Sequence, residues 1–175
     1  MKRSLVVLSL VSLMLCGVAS ASVKQGEVEL DFAGSLTFTN FADRPGVPGD
    51  SETVFDIFAR LGYFLTDNIE VGGVANGTWQ DGPDTYGLGG FAFYNFMPAN
   101  QLVPYVGGQL VYDWTTGDPG ENGFMYGPIA GVRYELNPTN DIFVEYQFRL
   151  FTGDLGDEFD NVHGVFFGIQ HIFKK

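Results

Sequence analysis

Lysine is almost missing from the body of this chain. Beyond Lys2, it occurs only at Lys24, Lys174 and Lys175, close to the two ends. A soluble β-sheet protein normally places lysine on its solvated strands and on its sheet edges. The distribution therefore argues against a soluble sheet protein.

Cysteine is also scarce, because Cys16 is the only one in 175 residues. A single cysteine excludes an intramolecular disulfide, and it excludes a thiolate metal site. Leu15 precedes Cys16, where a lipid-attachment signal would need a small residue, so we do not expect a lipoprotein. We expect no metal ion and no cofactor.

No apolar run is long enough to cross a bilayer as a helix, which needs about 20 such residues. The run nearest the N-terminus covers residues 5–15, follows the basic Met1-Lys2-Arg3 and leads to the small residues Ala19-Ser20-Ala21. This arrangement is typical of a secretory signal peptide over residues 1–21. Cleavage after Ala21 leaves residues 22–175, which we expect to form one domain.

Histidine is limited to His163 and His171, and the serines that follow the signal are Ser22, Ser35 and Ser51. A barrel enzyme that hydrolyses or transfers acyl groups needs a nucleophile beside a general base. The sequence has no His-x-Ser tract of the kind found in deacylases. We therefore predict no catalytic residues, no cofactor-binding residues and no enzymatic activity.

Positive charge is low overall, with 9 Lys and Arg against 21 Asp and Glu, a net charge of −12. Nucleic acids are bound mainly through basic residues, so we expect no nucleic-acid partner. Many acidic residues lie in four segments, 40–52, 80–85, 115–122 and 152–161, in which Arg44 is the single basic residue. Residues 153–158 offer oxygens to Ca²⁺, but their spacing matches no defined calcium loop, so solvated surface charge is the better interpretation.

Period-two alternation is what the sequence has in abundance. In residues 141–150, Ile142, Val144 and Tyr146 face one way, while Glu145 and Gln147 face the other. Alternation of this kind, less regular in places, predicts eight strands at residues 27–39, 53–65, 69–79, 86–96, 102–114, 124–136, 141–150 and 162–173. Glycines and phenylalanines interrupt it in the fourth strand, whose facing stays open.

Connections between these strands alternate in length. They are short after the second, fourth and sixth strands, and they are longer after the first, third, fifth and seventh. Outer-membrane barrels have short periplasmic turns and long external loops. We therefore predict an all-β fold, an eight-stranded antiparallel up-and-down transmembrane β-barrel.

Alternation alone does not decide which face of the barrel is inside. A soluble, lipocalin-like periplasmic barrel points its apolar face inward around a ligand, whereas a membrane barrel points that face outward at lipid. The membrane version is favoured by the lack of lysine and by strand lengths of about 11 residues, which match a tilted bilayer crossing. Aromatic residues near the predicted strand ends also favour it: Tyr63, Tyr94, Phe96, Tyr134 and Tyr146.

Two tracts, LVPYVGGQLVY at 102–112 and GPIAGVRYELNPTNDIFVEYQF at 127–148, resemble the small eight-stranded outer-membrane β-barrel proteins of Gram-negative bacteria, similar to the OmpA-type transmembrane domain. The resemblance implies a porin-like envelope fold and an outer-membrane location, not an activity. Members typically end on an aromatic residue that the assembly machinery recognises. Here Lys174 and Lys175 follow Phe173, and His171 stands where an apolar residue is expected, so the chain departs from the family pattern at the residues that bear on assembly. We expect a barrel without a further periplasmic domain.

Charged residues on the polar faces predict the character of the barrel interior. The strand arginines Arg60, Arg133 and Arg149 share those faces with Glu29, Asp31, Asp56, Glu70, Glu135 and Glu145. An eight-stranded barrel is just wide enough for its side chains to fill, so we predict a salt-bridge network that plugs the interior. The alternative is a narrow polar pore or proton path.

These observations predict a structural or cell-surface interaction role. The alternatives are a narrow channel or small-solute conduit, and a soluble periplasmic binding barrel. Expected partners are outer-membrane lipid and lipopolysaccharide, the outer-membrane assembly machinery, and an extracellular partner that contacts the acidic loops. We expect a monomer.

Overall fold

A computed structural model describes residues 24–41, 51–79, 84–116 and 120–174. Side chains are described for these residues except 36–41, 51–53 and 157–160. The predicted signal peptide over residues 1–21 lies outside this part of the chain. So do parts of the predicted connections 40–52, 80–85 and 115–122.

Eight strands form one closed barrel in which each strand is hydrogen-bonded to its neighbours in chain order. Every pair is antiparallel, and β1 pairs with both β2 and β8. This closure satisfies backbone groups that would otherwise face lipid. The strands are β1 (Val28–Phe41), β2 (Ser51–Phe64), β3 (Ile69–Trp79), β4 (Thr85–Asn95), β5 (Leu102–Thr115), β6 (Asn122–Asn137), β7 (Asn140–Phe151) and β8 (Phe159–Phe173).

The predicted fold class and all eight strands are confirmed, with ends that differ by a few residues. The clearest difference lies between β7 and β8, where the sequence predicts a loop over 152–161. A short helix, α1 (Asp154–Glu158), lies there, and β8 already begins at Phe159. Within the described residues, no helix is long and apolar enough to cross a membrane.

The barrel has two unlike ends. We call the turn end the one that holds both described chain ends and the short connections 65–68, 96–101 and 138–139. We call the loop end the opposite one, at which β1, β3, β5 and β7 end and β2, β4, β6 and β8 begin. At the turn end, Met97 has a φ of 52°, an uncommon conformation for a residue with a side chain.

Side-chain facing follows the predicted alternation. On β2, Leu61 is 57% exposed on the outer wall, whereas its neighbour Arg60 is 3% exposed in the lumen. The structure also settles the facing of β4, since Phe91 and Phe93 point inward and Leu88 is exposed on the outer wall. Apolar residues therefore form the outside, which is the arrangement of a membrane barrel and the reverse of a lipocalin-like one.

Aromatic residues cluster on the outer wall near both ends, as expected of membrane-interface girdles. Tyr63, Tyr94 and Tyr134 are exposed close to the turn end. At the loop end, Trp79 packs edge-on against Tyr86, with 6.3 Å between the ring centroids. Tyr146, which we expected near a strand end, lies instead in the middle of β7.

Candidate functional site: the ion-paired lumen

Arg60 occupies the central level of the lumen. From β2, its Nε donates to Asp31 Oδ2 at 3.1 Å, and its two terminal nitrogens donate to the two oxygens of Glu145 at 3.3 and 2.9 Å. Glu145 also accepts from the Tyr105 hydroxyl at 2.6 Å and from the Gln147 amide. The carboxylate of Glu145 is therefore held by donors from two other strands, β2 and β5, and by Gln147 of its own strand.

Phenylalanine rings enclose the same guanidinium. The Arg60 Cζ atom lies 4.5 Å from the ring centroid of Phe58, 4.9 Å from Phe93, 5.3 Å from Phe143 and 5.5 Å from Phe91. A cation over aromatic faces is attracted by the ring quadrupole, and the attraction strengthens when water is excluded. The central level is thus both ion-paired and lined by apolar rings.

A second level lies nearer the turn end and is organised by Arg133 of β6. Its terminal nitrogens reach Glu29 Oε2 at 3.2 Å and Glu70 Oε2 at 3.0 Å. The Gln170 amide also donates to Glu29 Oε2. Below this level, Phe64 and Ile172 form a small buried apolar cluster.

A third level lies nearer the loop end, where Arg149 of β7 pairs with Asp56 of β2 at 3.4 Å. Asp56 also accepts from the Ser35 hydroxyl at 3.2 Å and from the Thr78 hydroxyl. Arg149 Nε donates to Gln147 at 2.9 Å, so Gln147 links this level to the central one.

Helix α1 packs at the loop end of the barrel, mainly against β6. Its Leu155 is 2% exposed, and a Cβ built on Gly123 would meet the Leu155 Cβ at 3.4 Å. Thr152 donates its backbone N–H to the carbonyl of Phe124 at 2.9 Å and ties the start of this segment to β6. Sequence reasoning missed this helix, because its five residues include three acidic ones and one large apolar one, which is too few for a helical periodicity.

Together, the three levels contain five ion pairs. Four of them cross the lumen between strands that are not neighbours, and the fifth, Arg60 to Asp31, joins the adjacent strands β2 and β1. All three predicted arginines take part, and so do all the predicted carboxylates except Glu135, which lies near the turn end of β6. Sequence reasoning missed Tyr105, Gln147 and the phenylalanines around Arg60. Alternation puts Phe58 and Phe64 on the same face of β2 as Arg60, but it cannot show which arginine each ring contacts.

The histidines and Ser35, which we weighed as catalytic candidates, lie apart. Ser35 is buried in the lumen, while His163 is on the outer wall against the Phe148 ring and the Tyr146 hydroxyl. His171 contacts Asn140 Oδ1 at 2.8 Å at the turn end. In the described residues, no group of three or more His, Cys, Asp or Glu is arranged to hold a metal ion.

A shallow groove of about 870 Å³ crosses the outer wall of β3 to β6. Its floor includes Gly90, Gly108, Gly127 and Pro128. The pairing of β6 with β7 continues on either side of Gly127 and Pro128, and proline supplies no N–H to the ladder. The groove faces the same side as the exposed apolar row, so it lies against lipid rather than against the lumen.

A sequence profile of the outer membrane protein beta-barrel domain matches residues 7–171. The fold is similar to Neisserial surface protein A, at 16% identity and a TM-score of 0.64, over 84% of this chain and 96% of that one. It is also similar to the N-terminal β-barrel domain of Pseudomonas aeruginosa OprF, at 19% identity and a TM-score of 0.59, over 86% and 99% of the two chains. A de novo designed transmembrane β-barrel matches at 16% identity with a TM-score of 0.51, over 87% and 99%. No curated protein gives a significant match.

Proposed function

The chain belongs to the outer membrane β-barrel protein family and lies in the outer membrane, and from that premise we propose that it is a closed barrel that acts through its surface. Its role is structural or interactive: it supports the envelope or presents acidic loops to the exterior. The observation that carries this proposal is the bridging of the lumen by arginines at three levels.

Ion pairs of this kind oppose opening. An ion or solute that crosses the lumen has to pass Arg133, Arg60 and Arg149 in turn. Separating a buried pair leaves a charge without compensation, at a cost of about 3–5 kcal/mol. Since each 1.4 kcal/mol is a factor of ten, even one such level keeps an open state below roughly one part in 10². The central level adds the phenylalanine rings around Arg60, which leave little room for water.

Negative charge at the loop end determines which partner the barrel can attract. The described residues there include Asp84, Glu121 and Asp154, and the four loop segments hold further acidic residues with Arg44 as the one basic residue. Such a surface repels anions and speeds encounter with cations. The extracellular partner that we propose is therefore a basic protein segment or another polycation, not an anionic polymer.

The outer wall determines the remaining partners. Leu88, Leu110 and Phe167 are each more than half exposed on it, so acyl chains of lipid and lipopolysaccharide cover the barrel. We propose that β8, with Phe173 at its end, is the segment through which the assembly machinery receives the chain. A monomer is sufficient for this role, because the eight strands close among themselves.

The role that we propose is not enzymatic. It rests on the separation of His163 on the outer wall from Ser35 in the lumen, which keeps the imidazole of one and the hydroxyl of the other on opposite faces of the sheet. A His163→Ala variant should leave the lipid A composition of the outer membrane unchanged. A changed acylation pattern in that variant would contradict a non-enzymatic role.

The closed state is tested on reconstituted barrel, and the surface role is tested separately on cells. In planar bilayers and in solute-loaded liposomes, the wild-type barrel should give no discrete conductance steps and no flux above empty vesicles. Reproducible steps would instead favour the narrow channel, and their cation-to-anion selectivity would show whether the lumen carboxylates line it.

For the surface role, we propose the combined variant Asp84→Asn, Glu121→Gln and Asp154→Asn, assayed by binding of polylysine-coated beads to cells. Binding should fall, while Asp67→Asn, which removes one charge from the turn end, should leave it unchanged. Exchange of all four loops should abolish any cell-surface phenotype. Equal binding by the loop variant and the wild type would contradict the proposed electrostatic partner.

A further inference from the structure

Glu29 and Glu70 form an unusual pair at the turn-end level of the lumen. Both side chains are fully buried, and Arg133 donates to one oxygen of each, Oε2 in both cases. No protein group in the described residues donates a hydrogen bond to the second oxygen, Oε1, of either carboxyl. Two buried carboxyl groups are thus ion-paired with a single guanidinium, that of Arg133.

The two second oxygens point at the same space, which exists because residue 62 is glycine. Gly62 of β2 lies between the two acids, and it is paired directly with Glu29 in β1. A Cβ built on it would lie 2.5 Å from Glu70 Oε1 and 3.1 Å from Glu29 Oε1. Both oxygens therefore border the space that a side chain at residue 62 would fill.

We infer that Glu29 and Glu70 share one proton in the folded barrel and together form a proton-binding site at the turn end of the lumen. An ionised carboxylate can only accept hydrogen bonds, so a bond between two carboxyl groups needs an O–H on one of them. With one proton, the pair carries a single negative charge, which the single positive charge of Arg133 balances. Without it, two like charges stay in contact in a site that water hardly reaches.

Charged neighbours on the other strands favour the same state. Among the residues whose side chains are described, eight buried carboxyl groups stand against three buried arginines. Arg60 is already ion-paired with Asp31 and Glu145, so its positive charge does not balance that of Glu29 or Glu70. The groups around the pair are Asp31 on β1, Arg60 on β2, Tyr105 on β5, Arg133 on β6, Asp141 and Glu145 on β7, and the uncharged amide of Gln170 on β8.

Glu145 supplies the contrast within the same lumen. It accepts hydrogen bonds from Arg60, Tyr105 and Gln147 and has no other carboxyl group beside it among its hydrogen-bond partners. Both of its oxygens already have donors, so neither is left without a partner as Oε1 of Glu29 and Oε1 of Glu70 are. The proton is therefore expected at the Glu29 and Glu70 pair and not at the centre of the barrel.

Infrared spectroscopy of the full barrel in detergent micelles tests this directly. At neutral pH, the wild type should show the C=O stretch of a protonated carboxyl, and Glu70→Gln should abolish that band. The amide of glutamine then donates to Glu29 in place of the shared proton, so the fold is retained. Glu29→Gln is the reciprocal variant and should abolish the same band. Glu145→Gln is the matched control, which removes a carboxylate but leaves the band in place.

Unfolding equilibria against pH give a second, independent measurement. The unfolded chain carries both carboxyls ionised above about pH 5, so the folded state holds one more proton. The wild type should therefore lose stability as the pH rises through the titration of the pair, with an unfolding constant that grows by up to about tenfold per pH unit. Glu70→Gln should lack this component.

Three results would overturn the inference. The first is a wild type without the protonated-carboxyl band at neutral pH, and the second is a band that survives in both single variants. The third is a wild-type unfolding constant that depends on sodium concentration at fixed ionic strength, because a metal cation would then occupy the space over Gly62. The wild-type spectrum decides the question even where a variant fails to fold.

Discussion

Replacing Arg60 by methionine perturbs the centre of the lumen most directly. Methionine keeps much of the side-chain volume but removes the cation that lies 3.1 Å from Asp31 and 2.9 Å from Glu145. Removing one partner of a buried ion pair costs about 3–5 kcal/mol, because the remaining charge is uncompensated. We expect Arg60→Met to lower the free energy of unfolding by about 4 kcal/mol, which is roughly a thousandfold in the folding equilibrium.

Two companion variants separate charge from geometry. Arg60→Lys keeps the positive charge but loses the planar fork that binds both oxygens of Glu145, so we expect a loss of about 1–2 kcal/mol. The triple variant Arg60→Met, Asp31→Asn and Glu145→Gln removes every charge at this level. Since buried ion networks can often be replaced by neutral groups, it should recover to within about 1 kcal/mol of the wild type.

The assay is equilibrium unfolding in urea of the barrel in lipid vesicles. It is followed by the fluorescence of Trp79 and Trp114 and, in parallel, by the mobility difference between unboiled and boiled samples on gels. A loss below about 1 kcal/mol for Arg60→Met, the value of an exposed pair, would refute the reasoning. A triple variant less stable than Arg60→Met would refute it as well.

Three further predictions use the same unfolding assay. Gly131→Ala places a Cβ 2.4 Å from the Tyr105 ring and should cost about 1–3 kcal/mol, whereas Gly73→Ala, which meets nothing closer than 3.8 Å, should change stability by less than about 0.5 kcal/mol. Arg149→Met should lower the free energy of unfolding by about 2 kcal/mol. It should still give no conductance steps in planar bilayers, because the other two levels close the lumen. Discrete steps would show that Arg149 alone keeps the lumen closed. Met97→Gly should stabilise the barrel by about 1 kcal/mol, since glycine relieves the positive φ at that turn, and a destabilised variant would mean that the methionine side chain is needed there.

Much of this fold follows from period-two alternation and from turn chemistry. Because side chains on a strand alternate between two faces, the row Ile142, Val144 and Tyr146 had to lie opposite Glu145 and Gln147, and the structure places them so. The pairing of all eight strands in chain order followed from the alternation of short and long connections. The facing of β4 did not follow, because glycines carry no side chain to mark a face.

The partners within the lumen could not be predicted from the sequence. Arg60 and Glu145 are 85 residues apart and meet across the barrel, so their contact depends on strand tilt and register, which alternation does not report. The inward phenylalanines on four strands could not be predicted for the same reason. Each lies on a polar face beside an arginine, and the strand register that brings the two together is not visible in the alternation. Local sequence patterns determine faces, and barrel closure determines partners.

Tryptophan quenching tests most directly which face of the sheet meets lipid. The chain has two tryptophans, Trp79 and Trp114, and both are exposed on the outer wall. In vesicles whose acyl chains carry bromine, fluorescence should be quenched strongly, while aqueous iodide should have little effect. Strong quenching by iodide with none by brominated chains would contradict the lipid-facing wall and, with it, the closed polar lumen.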